Sequence, residues 1–301
     1  MTVSTPVPAT GPASRIAISR LQEEIAANRR ARQLVSAIVV VVLAAVGTLL
    51  ALPFGSWPVG LGVGLAVAVL LLGLAPGVGE RLALRSLHAR PSDPDRNPRY
   101  HNLVEGLCRE AGLPVPKLWV VDSDAANALA LGRGSSESAI VVTRGLIEQL
   151  NRVELEGVLA AELAHVRSSS ARLGSMAVVL GGLPGLLLEA RRRRGGALLG
   201  ALLGVAGTIL LVLVPLRRLA APPRRHPQAD ESAAYLTRYP PGLAAALTKL
   251  DADEEGAEVA NLGLNHLWIV PPRPAPADSR LDRMFESHPP LEERLENLRE
   301  L

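Results

Sequence analysis

Glu162 and His165 stand three residues apart in the run Leu159-Ala160-Ala161-Glu162-Leu163-Ala164-His165. On a helix that spacing puts a carboxyl and an imidazole on one side. In the metal-binding pattern His-Glu-x-x-His, two imidazoles one turn apart grip one ion, and the Glu activates the water bound to it. Here the carboxyl and the second imidazole are present, and Ala161 stands where the first imidazole would be. Two readings follow. The pair is either what remains of a hydrolytic metal centre, or a satisfied helix pair in which His165 is a hydrogen-bonded core histidine and Glu162 meets an arginine.

A helix has to carry these residues, and its start is written locally. Asn151 is a good N-cap and Glu154 follows three residues later, the spacing of a capping box. The pattern predicts a helix over Arg152–Arg167, with Leu155, Val158, Leu159 and Val166 on its apolar face. A carboxyl and an imidazole beside that face need partners. Upstream, Tyr100–Ala111 reads as an amphipathic helix ended by Gly112 and Pro114. Lys117–Val121, Ala128–Leu131 and Ser138–Val142 read as short strands, and Gly145–Leu150 as a short helix. The expected fold class is α+β, mostly helical with a small sheet.

Several stretches, in order, resemble the HtpX-type integral-membrane zinc metallopeptidases and the related CAAX prenyl peptidases. Pro116–Ser123 is similar to that family's first strand, Ala126–Gly132 to its Asn-containing strand, and Val142–Leu146 to its turn. Glu154–Ala160 is similar to the residues that lead into its metal motif. Ala229-Asp230 resembles the end of its downstream Glu-x-x-x-Asp helix, and Ser287–Arg294 its C-terminal His-Pro-Pro signature. The resemblance implies zinc as cofactor, with Glu162 as general base and His165 as a metal ligand. It implies a substrate-binding role for Asn127 and a supporting role for Asp230. It also locates two departures. Ala161 replaces a ligating His, and His226 stands where the third ligand is a Glu. Imidazole is itself a good zinc ligand, so His165, His226 and His288 form a candidate rewired set. The alternative is a pseudopeptidase that keeps the fold and binds membrane or unfolded protein segments. Local readings stand beside these roles: Asn127 holding a turn or edge strand, Asp230 capping the helix that starts near Pro227, and His288 orienting the C-terminal helix. Pro227 suits only a first helical turn. His266 carries no assigned chemistry, and His88 and His101 read as surface residues.

The membrane setting is read from charge. No charged residue occurs from Leu34 to Gly79. Pro53, Gly55 and Pro58 divide this stretch into Leu34–Leu52 and Val59–Ala75, each near the ~20 residues a spanning helix needs. Arginines before and after the hairpin, and none between the spans, place the N-terminus and the region after Glu80 in the cytoplasm. The expected localisation is a multi-pass protein of the cytoplasmic membrane. The expected organisation is a partly disordered cytoplasmic segment over 1–33, a transmembrane hairpin over 34–79, and a peptidase-like domain over 80–301. A further apolar pair over 173–216, either spanning or re-entrant, interrupts that domain, and Arg191–Arg194 between its halves reads as an anchor for lipid heads.

Composition narrows the alternatives. Of 301 residues 48% are hydrophobic and the mean hydropathy is +0.23, while aromatics are only 3%. Lys and Arg together number 32, of which only Lys117 and Lys249 are lysines. The net charge of +3 and the lack of a basic stripe with interleaved aromatics exclude nucleic acid as a partner. Cys108 is alone, so no internal disulfide or Cys-x-x-Cys metal site exists. With no ionisable residue inside either span, a transport pathway through them has no support. The expected partners are the lipid bilayer and membrane or misfolded protein segments.

Overall fold

The computed structural model describes residues 12–179, 225–253, 264–271 and 288–301. Helix α1 (Pro12–Ala51) runs unbroken through the arginine-rich segment into the apolar one, and a 3-10 turn (Leu52–Phe54) with Gly55 at φ 65° leads to α2 (Trp57–Ser86). Two stretches, Ile25–Phe54 and Trp57–Ser86, are long and apolar enough to cross a membrane. Their faces turned away from the protein expose Val41, Leu49, Val59, Val63, Leu70 and Leu74. The two helices meet through small residues. A Cβ on Gly60 would overlap the carbonyl of Gly47, and one on Gly64 that of Leu43, the close approach that small residues permit between helices in lipid.

The polar region builds a four-stranded sheet of order β1-β2-β4-β3. Its strands are β1 (Arg90–Pro91), β2 (Lys117–Val121), β3 (Ala128–Gly134) and β4 (Glu137–Thr143). β2 and β4 run parallel, with Val120 opposite Val142, and β3–β4 is an antiparallel hairpin with Leu129 opposite Val141. Each sequence-predicted strand is present, β3 extending to Gly134. Between β1 and β2 lies α3 (Pro98–Ala111), which buries Tyr100, Leu103, Val104, Leu107 and Cys108 and ends at Gly112, φ 65°. α4 (Arg144–Gln149) follows β4, capped by the Thr143 hydroxyl.

Helix α5 (Arg152–Arg167) has the predicted bounds. The Asn151 carboxamide accepts from the amides of Val153 and Glu154, and Glu154 accepts from Asn151 N–H, so the capping box is complete. The expected apolar stripe understates its burial: every residue from Gly157 to Val166 is buried. α5 is a central helix enclosed by the sheet, α3, α6 (Arg225–Thr237) and α7 (Pro240–Ala252). Gly157 is small because the Leu243 backbone packs directly against it. α8 (Leu291–Arg299) closes the described chain.

Helical residues 170–179 lie among the apolar helices. Leu173 and Ala177 pack with Val35, Val39, Leu43 and Ala68. The rest of the apolar pair expected over 173–216, Arg191–Arg194 included, lies outside the described residues, as do residues 1–11 of the N-terminal segment.

Candidate functional site

Four helix-borne groups and one from the chain just before α8 meet beneath β3. α5 supplies Glu162 and His165, and the first turn of α6 supplies Arg225 and His226, with Pro227 accommodated in that same turn. His288 precedes α8. The imidazoles of His165 and His226 stand edge to face, 5.3 Å between centroids at 84°. His226 stacks on His288, 4.4 Å between centroids at 22°. The three histidines singled out in the sequence are therefore one cluster, although they come from separate parts of the chain.

Their ring nitrogens differ in what they meet. His165 Nδ1 lies 2.9 Å from the Ser170 hydroxyl, which also stands 3.3 Å from the His165 carbonyl and 3.2 Å from Ser168 Oγ. His288 Nε2 donates to the Trp268 carbonyl at 2.7 Å. Both nitrogens of His226 are buried without a hydrogen-bond partner, and so are both carboxyl oxygens of Glu162.

Burial governs the charges here. Glu162 is fully buried, and desolvation pushes its carboxyl up to about 8, against the pull of the Arg225 and Arg294 guanidinium groups. Its carboxyl faces the Ala130 amide of β3 without reaching normal hydrogen-bond geometry. His165 and His226 are driven well below the usual histidine range, first by desolvation and then by neighbouring cations. At neutral pH the pocket holds a protonated Glu162 carboxyl and the neutral imidazoles of His165 and His226. Arg225 is 2% exposed, its three guanidine nitrogens have no hydrogen-bond partner, and burial brings it down to about 10.

The donor chemistry suits zinc, since neutral imidazoles and a carboxylate are its usual oxygen and nitrogen ligands. The geometry does not. Among the described residues no three His, Cys, Asp or Glu side chains converge as a metal-ligand set. The reason is visible in the stack. Lone pairs lie in the ring planes, so two nearly parallel, face-to-face rings direct them alongside each other rather than toward one point. Ala161 leaves the α5 side of the cluster with a methyl group where a second imidazole would reach in.

The remaining sequence candidates sit around this cluster. Asn127 is buried, and its carboxamide is held by backbone. Nδ2 donates to the Val270 carbonyl at 2.8 Å and Oδ1 accepts from Ala128 N–H. It therefore fastens the start of β3 to the 264–271 segment, where Leu129 also bridges Trp268. Asp230 meets Arg294 in a two-point ion pair of 2.6 and 2.7 Å, both side chains 3% exposed, and Arg294 also donates to the Ile269 carbonyl. His266 is buried, with Nε2 on the Gly174 carbonyl at 3.2 Å. His101 meets Ser92 at 3.0 Å, and His88 is exposed.

Arg225 and Ser170 were not foreseen. Nothing distinguishes Arg225 in a chain with so many arginines, and Ser170 is one of three consecutive serines.

Comparison with known proteins gives one consistent result. The model of peptidase family M48 matches residues 94–301. A "Protease HtpX homolog" of Dictyoglomus turgidum is 40% identical over 210 residues, covering 66% of this chain and 67% of that one. One of Dictyoglomus thermophilum is 35% identical over 232 residues, covering 73% and 75%. One of Acidiphilium cryptum is 34% identical over 270 residues, covering 84% and 92%.

Proposed function

The chain belongs to peptidase family M48, and on that premise we propose that it is a membrane-anchored HtpX-like homologue that binds membrane or unfolded protein segments without ordinary zinc proteolysis. The observation that carries this reading is Ala161, one helical turn before His165, in a site whose third ligand position holds His226. Catalytic zinc is normally held by three protein ligands with a fourth position open for water, and two of those three positions have changed. Glu162, the general base of the family pattern, is held mostly protonated at pH 7 by burial in its present surroundings, which leaves little of the carboxylate form that a general base needs. The buried fold around it is kept whole. The two apolar helices bring that fold to the bilayer, with the N-terminus and the domain after Glu80 on the cytoplasmic side. The domain organisation is a leading segment over 1–33, a hairpin over 34–79, and a domain over 80–301 interrupted at 173–216.

The test uses the full chain purified in detergent. A photo-crosslinking unfolded membrane-protein segment should be captured and left uncleaved, and the protein should contain no stoichiometric zinc. Cleavage that disappears on Glu162→Gln would overturn the reading.

One observation favours a second reading, an active zinc endopeptidase with rewired ligands. Both His226 nitrogens are buried without a partner, and His165 and His288 both lie against that ring. In that reading His165, His226 and His288 would hold the ion once the stack opened, the ion would supply an activated water, and Glu162 would stand in the general-base position. Stoichiometric zinc that is lost on His226→Ala supports this reading over the first.

A further inference from the structure

Where α2 leaves the apolar layer, the protein forms a charged cleft whose lining shares no residue with the histidine cluster. A helix rises 1.5 Å per residue, and about 20 residues cross the hydrocarbon core. Counted from Trp57, that length ends at Pro76. Gly77 and the first charges after it, Glu80 and Arg81, therefore fall at the depth of the lipid headgroups. At that level a cleft of about 260 Å³ opens between α2 and the sheet, lined by Gly77, Glu80, Arg81, Lys117, Arg133 and Glu137.

The cleft is shaped around one guanidinium. A Cβ on Gly77 would overlap the Arg133 side chain, so the glycine lets Arg133 lie flat against α2. Arg133 keeps donors for a ligand: its side chain is 48% exposed, and its ion pair with Glu137 is 3.8 Å long, beyond a hydrogen bond. The lining carries three cations and two carboxylates. A plain anion would meet the cations but also face Glu80 and Glu137. A head that carries a phosphate and a primary ammonium satisfies both sets, the phosphate oxygens accepting from Arg81, Lys117 and Arg133 and the ammonium donating to the carboxylates. A quaternary ammonium has no N–H to donate. The volume is also below the roughly 300–1,000 Å³ of pockets for drug-sized ligands, which suits a headgroup.

We infer that this cleft binds the phosphate-and-amine headgroup of a membrane phospholipid, of the phosphatidylethanolamine kind, at the exit of α2. The inference rests on α2 crossing the bilayer, and the test separates the two. The full chain is reconstituted in nanodiscs of phosphatidylcholine alone, or of phosphatidylcholine with added phosphatidylethanolamine or phosphatidylglycerol. The melting midpoint is measured in each, since a ligand bound only by the native state raises it. Insertion in all three is expected, with a midpoint several degrees higher when phosphatidylethanolamine is present. Arg133→Ala, Lys117→Ala and Gly77→Ala should each erase that increment while leaving the midpoint in pure phosphatidylcholine close to the parent's. Glu80→Gln should shift the preference toward phosphatidylglycerol. Soluble O-phosphoethanolamine added to phosphatidylcholine discs separates a free phosphate compound from a lipid, and an equal increment from it overturns the lipid assignment. Equal midpoints in all three lipids, a larger rise with phosphatidylglycerol in the parent, or an increment that survives Arg133→Ala and Lys117→Ala together each overturns the cleft as an amine-phospholipid site. Failure to insert at all overturns the spanning role of α2 instead.

Discussion

His226 stands edge-on to His165 with 5.3 Å between ring centroids, and its own nitrogens touch no hydrogen-bond partner. An imidazole from the first turn of α6 thus meets the imidazole of α5 where the family pattern has a glutamate and a second histidine. The site's chemistry depends on that replacement.

Restoring the pattern should restore the metal. Ala161 lies one turn before His165, and α6 already brings position 226 to the pair. The double variant Ala161→His with His226→Glu is expected to bind about one zinc per chain and to cleave an unfolded membrane-protein substrate in a Glu162-dependent manner, while the parent does neither. Metal analysis and a gel-based cleavage assay read this out. A folded double variant with no zinc means that the cluster has drifted too far for the family geometry to return.

Chelation should leave the parent unchanged. Asn151, the sheet and the buried α5 hold this fold through contacts that involve no ion. Thermal midpoints with and without a strong chelator are expected to coincide. A drop of several degrees would instead place a resident metal among His165, His226 and His288.

The pH dependence has a definite sign. The Glu162 carboxyl is raised from 4.5 to about 8 by burial. Between those values the unfolded chain has released a proton that the native chain still holds, so stability falls as pH rises through this window. His165 and His226 act oppositely: their lowered values contribute stability above the ordinary histidine range, and it is lost as pH falls below about 6.5. Glu162→Gln removes the first effect only. It should stabilise the protein relative to the parent most at pH 8 and above, and least near pH 4.5. A constant difference across that range, in melting midpoints, counts against a buried, protonated carboxyl.

Breaking the Asp230–Arg294 pair should be severe, because each group is buried and would be left uncompensated. Arg294→Met is expected to cost about 3–5 kcal/mol, and much of the loss should return when Asp230→Leu is added. Chemical denaturation of the single and double variants measures this. Additive losses would mean that the two side chains do not act as a pair.

Topology is open to a direct check. Reporter tags at residue 10 and residue 95 are expected on the cytoplasmic side, and one at Gly55 on the opposite side. A tag at 95 that reports the outside reverses the orientation and the proposed location of the domain.

Several parts of this protein were legible in the chain alone, and each is a local matter. Asn151 and Glu154 fix the start of α5 because a capping box closes within one helical turn. The three main strands follow from short β-prone runs bounded by Gly, Ser and Asp. The uncharged stretch broken at Pro53–Pro58 gave the hairpin of apolar helices, although α1 extends further back, to Pro12, than its apolar part suggested. The family resemblance marked Ala161 and His226 as departures, since motif spacing is a property of sequence. Tertiary structure alone decided what the marked residues touch. Asp230 reads as a helix cap, yet it binds Arg294, 64 residues away. Asn127 reads as a substrate contact or a turn, yet its amide holds Val270, 143 residues away. Arg225 is one arginine among many until α6 buries it beside Glu162. Such pairings depend on which helix faces pack together and on how much water that packing expels. Desolvation then sets whether Glu162 is a base or a neutral acid, and no spacing along the chain encodes it.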